Sequence, residues 1–369
     1  MKLRYKIANG FLIVLAVLIS VLGLVISHTE DCKPAAEISA GTETMQAAVR
    51  RCYGSPDIIE VGEIAKPTPG ADEVLVKVHA ASVNPLDYHY MRGSPYLMRL
   101  VSGLGKPDRI SMGVDYAGTV EAVGSNVTDF KTGDEVFGGR DGAFAEYLTV
   151  RADRAIALKP ANMSFEQAAS VGIAGITALQ ALRDKGDLQS GDRILINGAS
   201  GGVGTFAVQI AKELGAEVTA VCSTRNVELV RSIGADHVFD YKNENYTESG
   251  EQYDLIIDNV GNHGLLANTG VLKPEGTYVM IGGAKGNWIA PLLGPIKALF
   301  LSPFVDQNLL LILAEFSQSD LNLLGDYMRT GAVVPVIDRS YPLSEVPAAI
   351  AYSEEGHARG KIIINIPGT

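Results

Sequence analysis

Residues 193–214 read Arg-Ile-Leu-Ile-Asn-Gly-Ala-Ser-Gly-Gly-Val-Gly-Thr-Phe-Ala-Val-Gln-Ile-Ala-Lys-Glu-Leu. An apolar run, a glycine-rich turn and a run with helical periodicity predict a buried strand, a tight loop and a helix. Backbone amides in such a loop approach a phosphate closely, and the positive end of the helix faces it. Gly201 permits that approach, and Gly204 lets the helix pack tightly on the strand. The stretch predicts a dinucleotide-binding loop, although Ala199 replaces the usual first glycine.

The sequence after residue 162 continues this alternation of strands and helices. Ser164 and Gln167 form a predicted capping box at the start of an alanine-rich helix. Further apolar strands are predicted at 217–222, 237–240, 253–258 and 276–281. Apolar strands spaced by helices are typical of a parallel sheet that is covered on both faces.

The preceding region, residues 45–160, has the sequence pattern of short strands. Residues 74–79 and 118–124 alternate apolar and polar side chains, and residues 134–138 follow a turn. This pattern predicts a small antiparallel barrel or sandwich. The last segment holds strand-like residues at 334–337 and 361–365, and we expect it to return to this first domain.

The residues after the predicted strand 217–222 indicate which dinucleotide is bound. An NAD site has an acidic residue about 20 residues beyond the glycines, where it binds the ribose hydroxyls. The chain has Ser223, Thr224 and Arg225 instead. Hydroxyls and a guanidinium can bind a 2′-phosphate, which a carboxylate would repel. The sequence therefore favours NADPH; the alternative is that Arg225 is a solvated residue at a helix start.

Further motifs follow one another from about residue 45 to the C terminus. They are Ala80-Ala-Ser-Val-Asn-Pro-Leu-Asp87, Gly113-Val-Asp-Tyr-Ala-Gly-Thr-Val-Glu-Ala-Val-Gly124, Phe130-Lys-Thr-Gly-Asp-Glu-Val-Phe-Gly138, Gly142-Ala-Phe-Ala-Glu-Tyr147 and Gly356-His-Ala-Arg-Gly-Lys361. With the glycine loop, they resemble the medium-chain dehydrogenase/reductase superfamily, and specifically its zinc-free quinone oxidoreductase-like branch.

The resemblance implies an α/β fold in which a GroES-like, β-rich catalytic domain is divided around a Rossmann domain with a doubly wound parallel sheet. We predict an anchor and linker over 1–44, the first part of the catalytic domain over 45–162, the NADP-binding domain over 163–316 and the returning segment over 317–369. The site would lie in the cleft between the domains. Dimerisation is an expectation that comes from the family.

The cofactor residues come partly from the glycine loop and partly from the resemblance. The family places Thr177 near the nicotinamide, Tyr241 near the adenosine phosphate, and four residues after two later strands beside the nicotinamide ribose. The full predicted set is Thr177, Ser200, Gly201, Gly202, Val203, Gly204, Ser223, Thr224, Arg225, Tyr241, Asn259, Val260, Gly282 and Gly283.

The chain departs from the zinc-dependent relatives at the metal-binding positions. Where they have two cysteines and a histidine, this chain has Asn84, Val114 and Ile173, and the lobe with four cysteines is missing. A tetrahedral zinc site needs nitrogen and sulfur ligands, so we predict no metal and no Lewis acid for plain alcohol oxidation.

Without zinc, a bound NADPH can still pass hydride to an electrophilic acceptor such as a quinone or an α,β-unsaturated carbonyl. The acceptor oxygen that gains charge needs hydrogen-bond donors. The predicted catalytic candidates are the Asn84 amide, the Tyr88 hydroxyl and His89, in that order of preference. Two alternatives stay open: a catalytically weak, membrane-anchored scaffold that binds NADPH, and an alcohol or aldehyde oxidoreductase.

The N terminus carries a membrane signal. Lys2, Arg4 and Lys6 precede an uncharged stretch over 7–27, which as a helix would reach roughly 30 Å, the thickness of the hydrocarbon core. Since a cleaved signal peptide has a shorter apolar region, we predict a single-pass anchor in a membrane; the alternative is a signal peptide cleaved at Val25-Ile-Ser27. The basic flank favours a catalytic domain outside the cytoplasm, whereas a reduced cofactor favours the cytoplasm, so both sides stay open.

The apolar segment 289–313 is interpreted as a cover over a cleft for a lipophilic carbonyl or quinone.

Composition excludes one class of partner. The 369 residues carry a net charge of −11, which argues against a nucleic-acid partner, because phosphates need a basic surface. Three cysteines are too few for a disulfide framework. Cys222 is interpreted as buried, and a bridge between Cys32 and Cys52 is expected only outside the cytoplasm.

Overall fold

The computed structural model describes residues 15, 17–35, 37–283, 286–288 and 290–367. The strands are β1 (Thr44–Val49), β2 (Glu60–Ala65), β3 (Glu73–Val83), β4 (Asp115–Val123), β5 (Glu135–Gly139), β6 (Tyr147–Arg151), β7 (Ile156–Leu158), β8 (Arg193–Asn197), β9 (Glu217–Cys222), β10 (His237–Asp240), β11 (Tyr253–Asp258), β12 (Leu272–Met280), β13 (Asn308–Leu311), β14 (Ile337–Pro342) and β15 (Lys361–Asn365). The helices are α1 (17–27), α2 (Pro85–Arg92), α3 (Arg99–Ser102), α4 (Phe165–Ala169), α5 (Gly172–Gln180), α6 (Gly202–Glu213), α7 (Val227–Ser232), α8 (Leu265–Gly270), α9 (Leu293–Leu301), α10 (Gln318–Thr330) and α11 (Val346–Glu355).

The strand–helix alternation after residue 162 forms a parallel sheet with the order β10-β9-β8-β11-β12-β13. The chain builds β8, β9 and β10 outward, returns to the middle and builds β11, β12 and β13 in the other direction. The resulting reversal between β8 and β11 is a switch point, where parallel sheets bind ligands at the carboxyl ends of their strands. The predicted capping box that opens α4 is confirmed, with Ser164 and Gln167 bonded reciprocally.

The β-rich half is a seven-stranded sheet with the order β14-β15-β3-β4-β5-β7, and β6 also pairs with β3. Strand β15 runs antiparallel to β3, whereas β14 is parallel to β15, so the C-terminal segment makes the sheet mixed. The strand expected at 334–337 begins later, at Ile337. Both backbone groups of Val334 bond instead to the Gln209 side chain on α6, which keeps that residue out of the sheet.

The prediction of a membrane-spanning anchor is wrong. Of the stretch 7–27, residues 7–14 and 16 lie outside the described residues. Within the described part of the chain, no helix is long and apolar enough to cross a membrane. Residues 17–27 are helical and are the part of α1 described here.

The end of α1 is attached to the β-rich half. The buried guanidinium of Arg99 donates to the carbonyl oxygens of Ile26, Ser27 and His28 at 3.2, 3.1 and 2.7 Å, which are the groups that a helix end leaves without partners. Cys32 and Cys52 then form a disulfide, with their Cα atoms 4.7 Å apart. The N-terminal segment is therefore held by charge-assisted hydrogen bonds and by a covalent link.

We predict that reducing the disulfide lowers the stability of the chain. The cysteines are 20 residues apart, and closing a loop of that length stabilises a fold by about 3 kcal/mol. Thermal unfolding with and without dithiothreitol measures the effect, and a Cys32→Ser/Cys52→Ser variant is the control that dithiothreitol leaves unchanged. Equal melting temperatures for oxidised and reduced wild-type protein would contradict the prediction.

Candidate cofactor site and cleft

The carboxyl ends of the parallel strands are level with one another. Asn197 of β8 aligns with Val221 on one side and with Asp258 on the other, and Asp258 aligns with Met280. Loops that follow these strands therefore meet at one edge of the sheet. They carry all the predicted cofactor residues except Thr177, which is buried on α5, and Gly202, Val203 and Gly204, which lie in the first turn of α6.

The glycine loop has the geometry that close packing requires. Gly198 adopts a φ of +76°, in the left-handed region that favours glycine. A Cβ on Gly204 would lie 2.2 Å from the carbonyl oxygen of Gly198, whereas a Cβ on Gly201 would lie 3.5 Å from that oxygen. Gly201 is the N-cap of α6. The helix N terminus consequently faces the edge of the sheet, with its amides available to an anion.

The loop after β9 joins the glycine loop through a residue that the sequence analysis missed. The Asn226 amide donates to the hydroxyl oxygens of Ser200 and Ser223 at 2.8 and 3.2 Å. A polar residue four positions beyond the strand end is the only signal in the sequence, and it is a weak one because an asparagine there is also an ordinary turn residue. Asn226 thus holds the two loops together.

A carboxylate lies closer to this loop than the sequence suggested. The hydroxyl of Thr224 donates to Asp240 at 2.6 Å, and Asp240 ends the neighbouring strand β10. That hydrogen bond is the main cause of a lowered pKa at Asp240. The Arg225 guanidinium donates to the carbonyl oxygen of His357 at 2.6 Å, and Tyr241, which follows Asp240, is exposed.

Buried Asp258 shapes the loop on the other side of the switch point. Its carboxylate accepts the backbone N–H groups of Val260 and Gly261, each at 2.9 Å. The same carboxylate accepts the Asn197 amide at 2.9 Å and the Tyr278 hydroxyl. These bonds fix the turn that carries Asn259 and Val260 against the end of β8.

Two buried carboxamide oxygens at this edge, those of Asn226 and Asn259, have no hydrogen-bond partner within the described chain. An unsatisfied buried acceptor costs about 1–3 kcal/mol. A bound dinucleotide carries ribose hydroxyls that can donate to such acceptors. The residues present therefore fit a dinucleotide, with one unpaired carboxamide oxygen on each side of the glycine loop.

A fully buried carboxylate, Asp115 of β4, joins the two halves of the molecule. One of its oxygens accepts the backbone N–H of Ile173 in the first turn of α5 at 2.8 Å, where the positive helix end favours a negative charge. The other oxygen accepts the Ser82 hydroxyl at 3.1 Å and the Asn84 amide at 2.9 Å. A Cβ on Gly172 would lie 2.2 Å from Asp115, so glycine is needed for this approach.

Asn84, a predicted catalytic residue, is buried and fully engaged. It is the N-cap of α2, and its backbone N–H donates to Asp87 at 2.7 Å. Its carboxamide oxygen accepts the Lys361 ammonium, and its amide donates to Asp115. Burial raises the pKa of Asp87 to about 7, opposed by the hydrogen bond from Asn84. The oxygen and the amide of the Asn84 side chain therefore both have partners within the protein.

His89 and Tyr88 have different surroundings. The Nδ1 atom of His89 donates to the carbonyl oxygen of Ser94 at 2.8 Å, and the Ser94 hydroxyl donates to the Asn287 side chain at 2.7 Å. Asn287 belongs to the segment after β12, so these contacts link α2 of the β-rich half to a segment that follows a strand of the parallel sheet. Burial lowers the pKa of His89. Tyr88 packs against the core of the β-rich half, and burial raises its pKa.

The positions that match zinc ligands hold other side chains. Val114 is nearly buried, Ile173 contributes its backbone N–H to Asp115, and Asn84 is bonded to Lys361. Within the described ranges, no group of three or more histidine, cysteine or acidic residues could hold a metal ion. Cys222 is free and buried, as expected.

Two known families match different parts of the chain. Residues 70–160 match the family described as Alcohol dehydrogenase GroES-like domain, and residues 233–364 match the family described as Zinc-binding dehydrogenase. The second description names a metal for which this chain lacks the usual ligands at Asn84, Val114 and Ile173.

Individual proteins match most of the chain. A mitochondrial NAD(P)H oxidoreductase of Bos taurus is 34% identical over 338 residues, covering 80% of this chain and 82% of that protein. A 2-methylene-furan-3-one reductase of Solanum lycopersicum is 34% identical over 328 residues, covering 85% and 77%. The solved quinone oxidoreductase of Coxiella burnetii superposes with a TM-score of 0.79 at 30% identity, covering 88% of this chain and 100% of that one.

We predict that two glycines of one loop respond differently to alanine. Gly204→Ala places a Cβ against backbone and should lower the free energy of unfolding by about 2 kcal/mol or more. Gly201→Ala meets no such contact and should cost below about 1 kcal/mol. Urea unfolding of both variants measures the difference, and equal losses of stability would contradict the assigned packing.

Proposed function

The chain belongs to the medium-chain dehydrogenase/reductase superfamily, in its quinone oxidoreductase-like branch, and on this premise we propose that it transfers hydride from NADPH to a quinone or an α,β-unsaturated carbonyl without catalytic zinc. The chain is an oxidoreductase that uses NAD(P)H. One relative is named for an enone and another for a quinone, which supports both acceptor classes. When bound, NADPH supplies the hydride, and the chain supplies binding, orientation and proton transfer.

The contact chain from His89 through Ser94 to Asn287 is the observation that carries this proposal. It joins the helix with the catalytic candidates to the segment that follows the cofactor edge, at the boundary where an acceptor must lie. Because Nδ1 donates to a carbonyl oxygen, the remaining nitrogen of His89 can exchange a proton. We therefore place His89 first among the catalytic candidates, ahead of Tyr88, and give Asn84 a supporting part.

The cofactor would lie along the sheet edge. Ser200, Gly201, Gly202, Val203 and Gly204 would hold the pyrophosphate at the start of α6. The later loops with Asn259, Val260, Gly282 and Gly283 would border the nicotinamide ribose. Thr177 lies on α5 four residues after Ile173, on the same face of that helix, so the contact between Asp115 and Ile173 would also position Thr177.

Preference for NADPH is assigned to the Ser223, Thr224 and Arg225 loop together with Tyr241. Asp240 already accepts the Thr224 hydroxyl, so the proposal depends on the Arg225 guanidinium. Arg225 would exchange the His357 carbonyl oxygen for the 2′-phosphate, a stronger, charge-assisted partner.

The acceptor test measures NADPH and NADH oxidation against quinones, enones and aldehydes. We expect turnover with quinones or enones and much slower reaction with aldehydes, because zinc ligands are missing at the matching positions. NADPH binding is measured by fluorescence. If NADPH binds tightly but no acceptor oxidises it, the chain is a cofactor-binding scaffold and not an enzyme. Zinc-dependent aldehyde reduction would support the alcohol or aldehyde oxidoreductase instead.

We predict that Arg225→Ala raises the KM for NADPH about tenfold, the effect of losing one charge-assisted hydrogen bond. The KM for NADH should change little, because NADH lacks the 2′-phosphate. Arg231→Ala, which removes an exposed arginine paired with Glu228 on α7, is the matched control. If both cofactors weaken equally in Arg225→Ala, the discrimination lies elsewhere.

His89→Gln should lower kcat with an enone about 100-fold, in the range of lost general acid–base catalysis. Tyr88→Phe should have a much smaller effect, because Tyr88 packs into the core of the β-rich half. Steady-state kinetics on the two variants gives the ranking. A larger loss in Tyr88→Phe would return the proton-transfer role to Tyr88.

A further inference from the structure

Lys361 is a buried cation that has no part in the proposed cofactor binding, hydride transfer or proton transfer. It begins β15 and is 3% exposed. Burial lowers its pKa, an effect that Asp115 and Asp87 oppose. Removing an ammonium from water costs several kcal/mol unless its partners are well placed. Such a residue in the cleft region calls for a specific partner.

The ammonium of Lys361 meets the first turn of α2. It donates to the carboxamide oxygen of Asn84 and lies 3.4 Å from the Asp115 carboxylate. With its oxygen held by Lys361, the carboxamide presents its amide to Asp115. The ammonium thus sets the orientation of the Asn84 carboxamide. Asn84 is the N-cap of α2, the helix that carries His89.

The residue before Lys361 bonds to the cofactor loop, and the side-chain stem of Lys361 lies near the start of α6. The backbone N–H of Gly360 donates to the carbonyl oxygen of Ser200 at 2.9 Å. A Cβ on Gly202 would lie 3.3 Å from the Lys361 side-chain stem. Gly360 and Lys361 therefore connect the glycine loop, through the Gly360 N–H, to the start of α2, through the Lys361 ammonium.

From this double contact we propose that Lys361 is a positioning residue for hydride transfer. Its ammonium holds the start of α2, and through it His89, at a fixed distance from the glycine loop. This inference rests on the proposed function, since it concerns the alignment of the two halves during that reaction. It gives the buried charge a use that packing alone does not explain.

The test compares Lys361→Met with Lys131→Met, which makes the same substitution at an exposed turn. We expect Lys361→Met to lower kcat with an enone about 10- to 100-fold, as small misalignments do. Its Kd for NADPH, measured by nicotinamide fluorescence, should stay close to the wild-type value, because the loop amides are unchanged. An unchanged kcat in a folded Lys361→Met protein would overturn the proposal.

A second variant separates positioning from charge balance. Removing one partner of a buried pair leaves an uncompensated charge and can prevent folding. Lys361→Met/Asp115→Asn removes both charges and should recover thermal stability relative to Lys361→Met, but its kcat should stay below that of Asp115→Asn alone, because it still lacks the donor to Asn84. Recovery of both stability and kcat would show a merely structural role. A wild-type protein that binds NADPH but reduces no acceptor would contradict the proposed function instead.

Discussion

The carboxylate of Asp115, which has no exposed surface, is the contact on which the arrangement of the cleft depends. It accepts the N–H of Ile173 from α5 of the nucleotide-binding half, and it accepts Ser82 and Asn84 from its own half. A negative charge is stabilised there by the helix dipole and by the Lys361 ammonium. A Cβ at position 172 would overlap the Asp115 side chain, so this close contact between the two halves requires glycine there.

The same contact organises both reactants. On one side, capping of α5 fixes the helix that carries Thr177. On the other, the bond to Asn84 fixes the start of α2, and His89 reaches Ser94 and then Asn287 beyond the cofactor edge. In the proposed reaction the chain would align the two reactants and His89 would transfer a proton, and the unpaired oxygens of Asn226 and Asn259 would accept hydrogen bonds from the nucleotide. This division of labour suits a cofactor that brings its own reactivity.

Sequence reasoning succeeded where a local pattern encodes the structure. The run 193–214 predicted β8, the glycine loop and α6 because strand and helix periodicities differ. It failed where distant residues meet. Asn84 and Lys361 are 277 residues apart, so nothing local reveals that the carboxamide oxygen of Asn84 is already engaged. Asp240 reaches Thr224 only because β10 pairs with β9. The apolar N terminus matched a membrane helix in composition, but among the residues that the structure describes no helix is long and apolar enough to cross a membrane.

Direct transfer of hydrogen to carbon is the central claim, and isotope transfer tests it most directly. The measurement uses NADPH labelled with deuterium on one face of nicotinamide C4, an α,β-unsaturated ketone as acceptor, and NMR analysis of the product. The account predicts deuterium at the β-carbon for one labelled face of the nicotinamide and hydrogen from water at the α-carbon. Deuterium lost to the solvent, or equal transfer from both faces, would contradict an aligned cofactor and acceptor in this cleft.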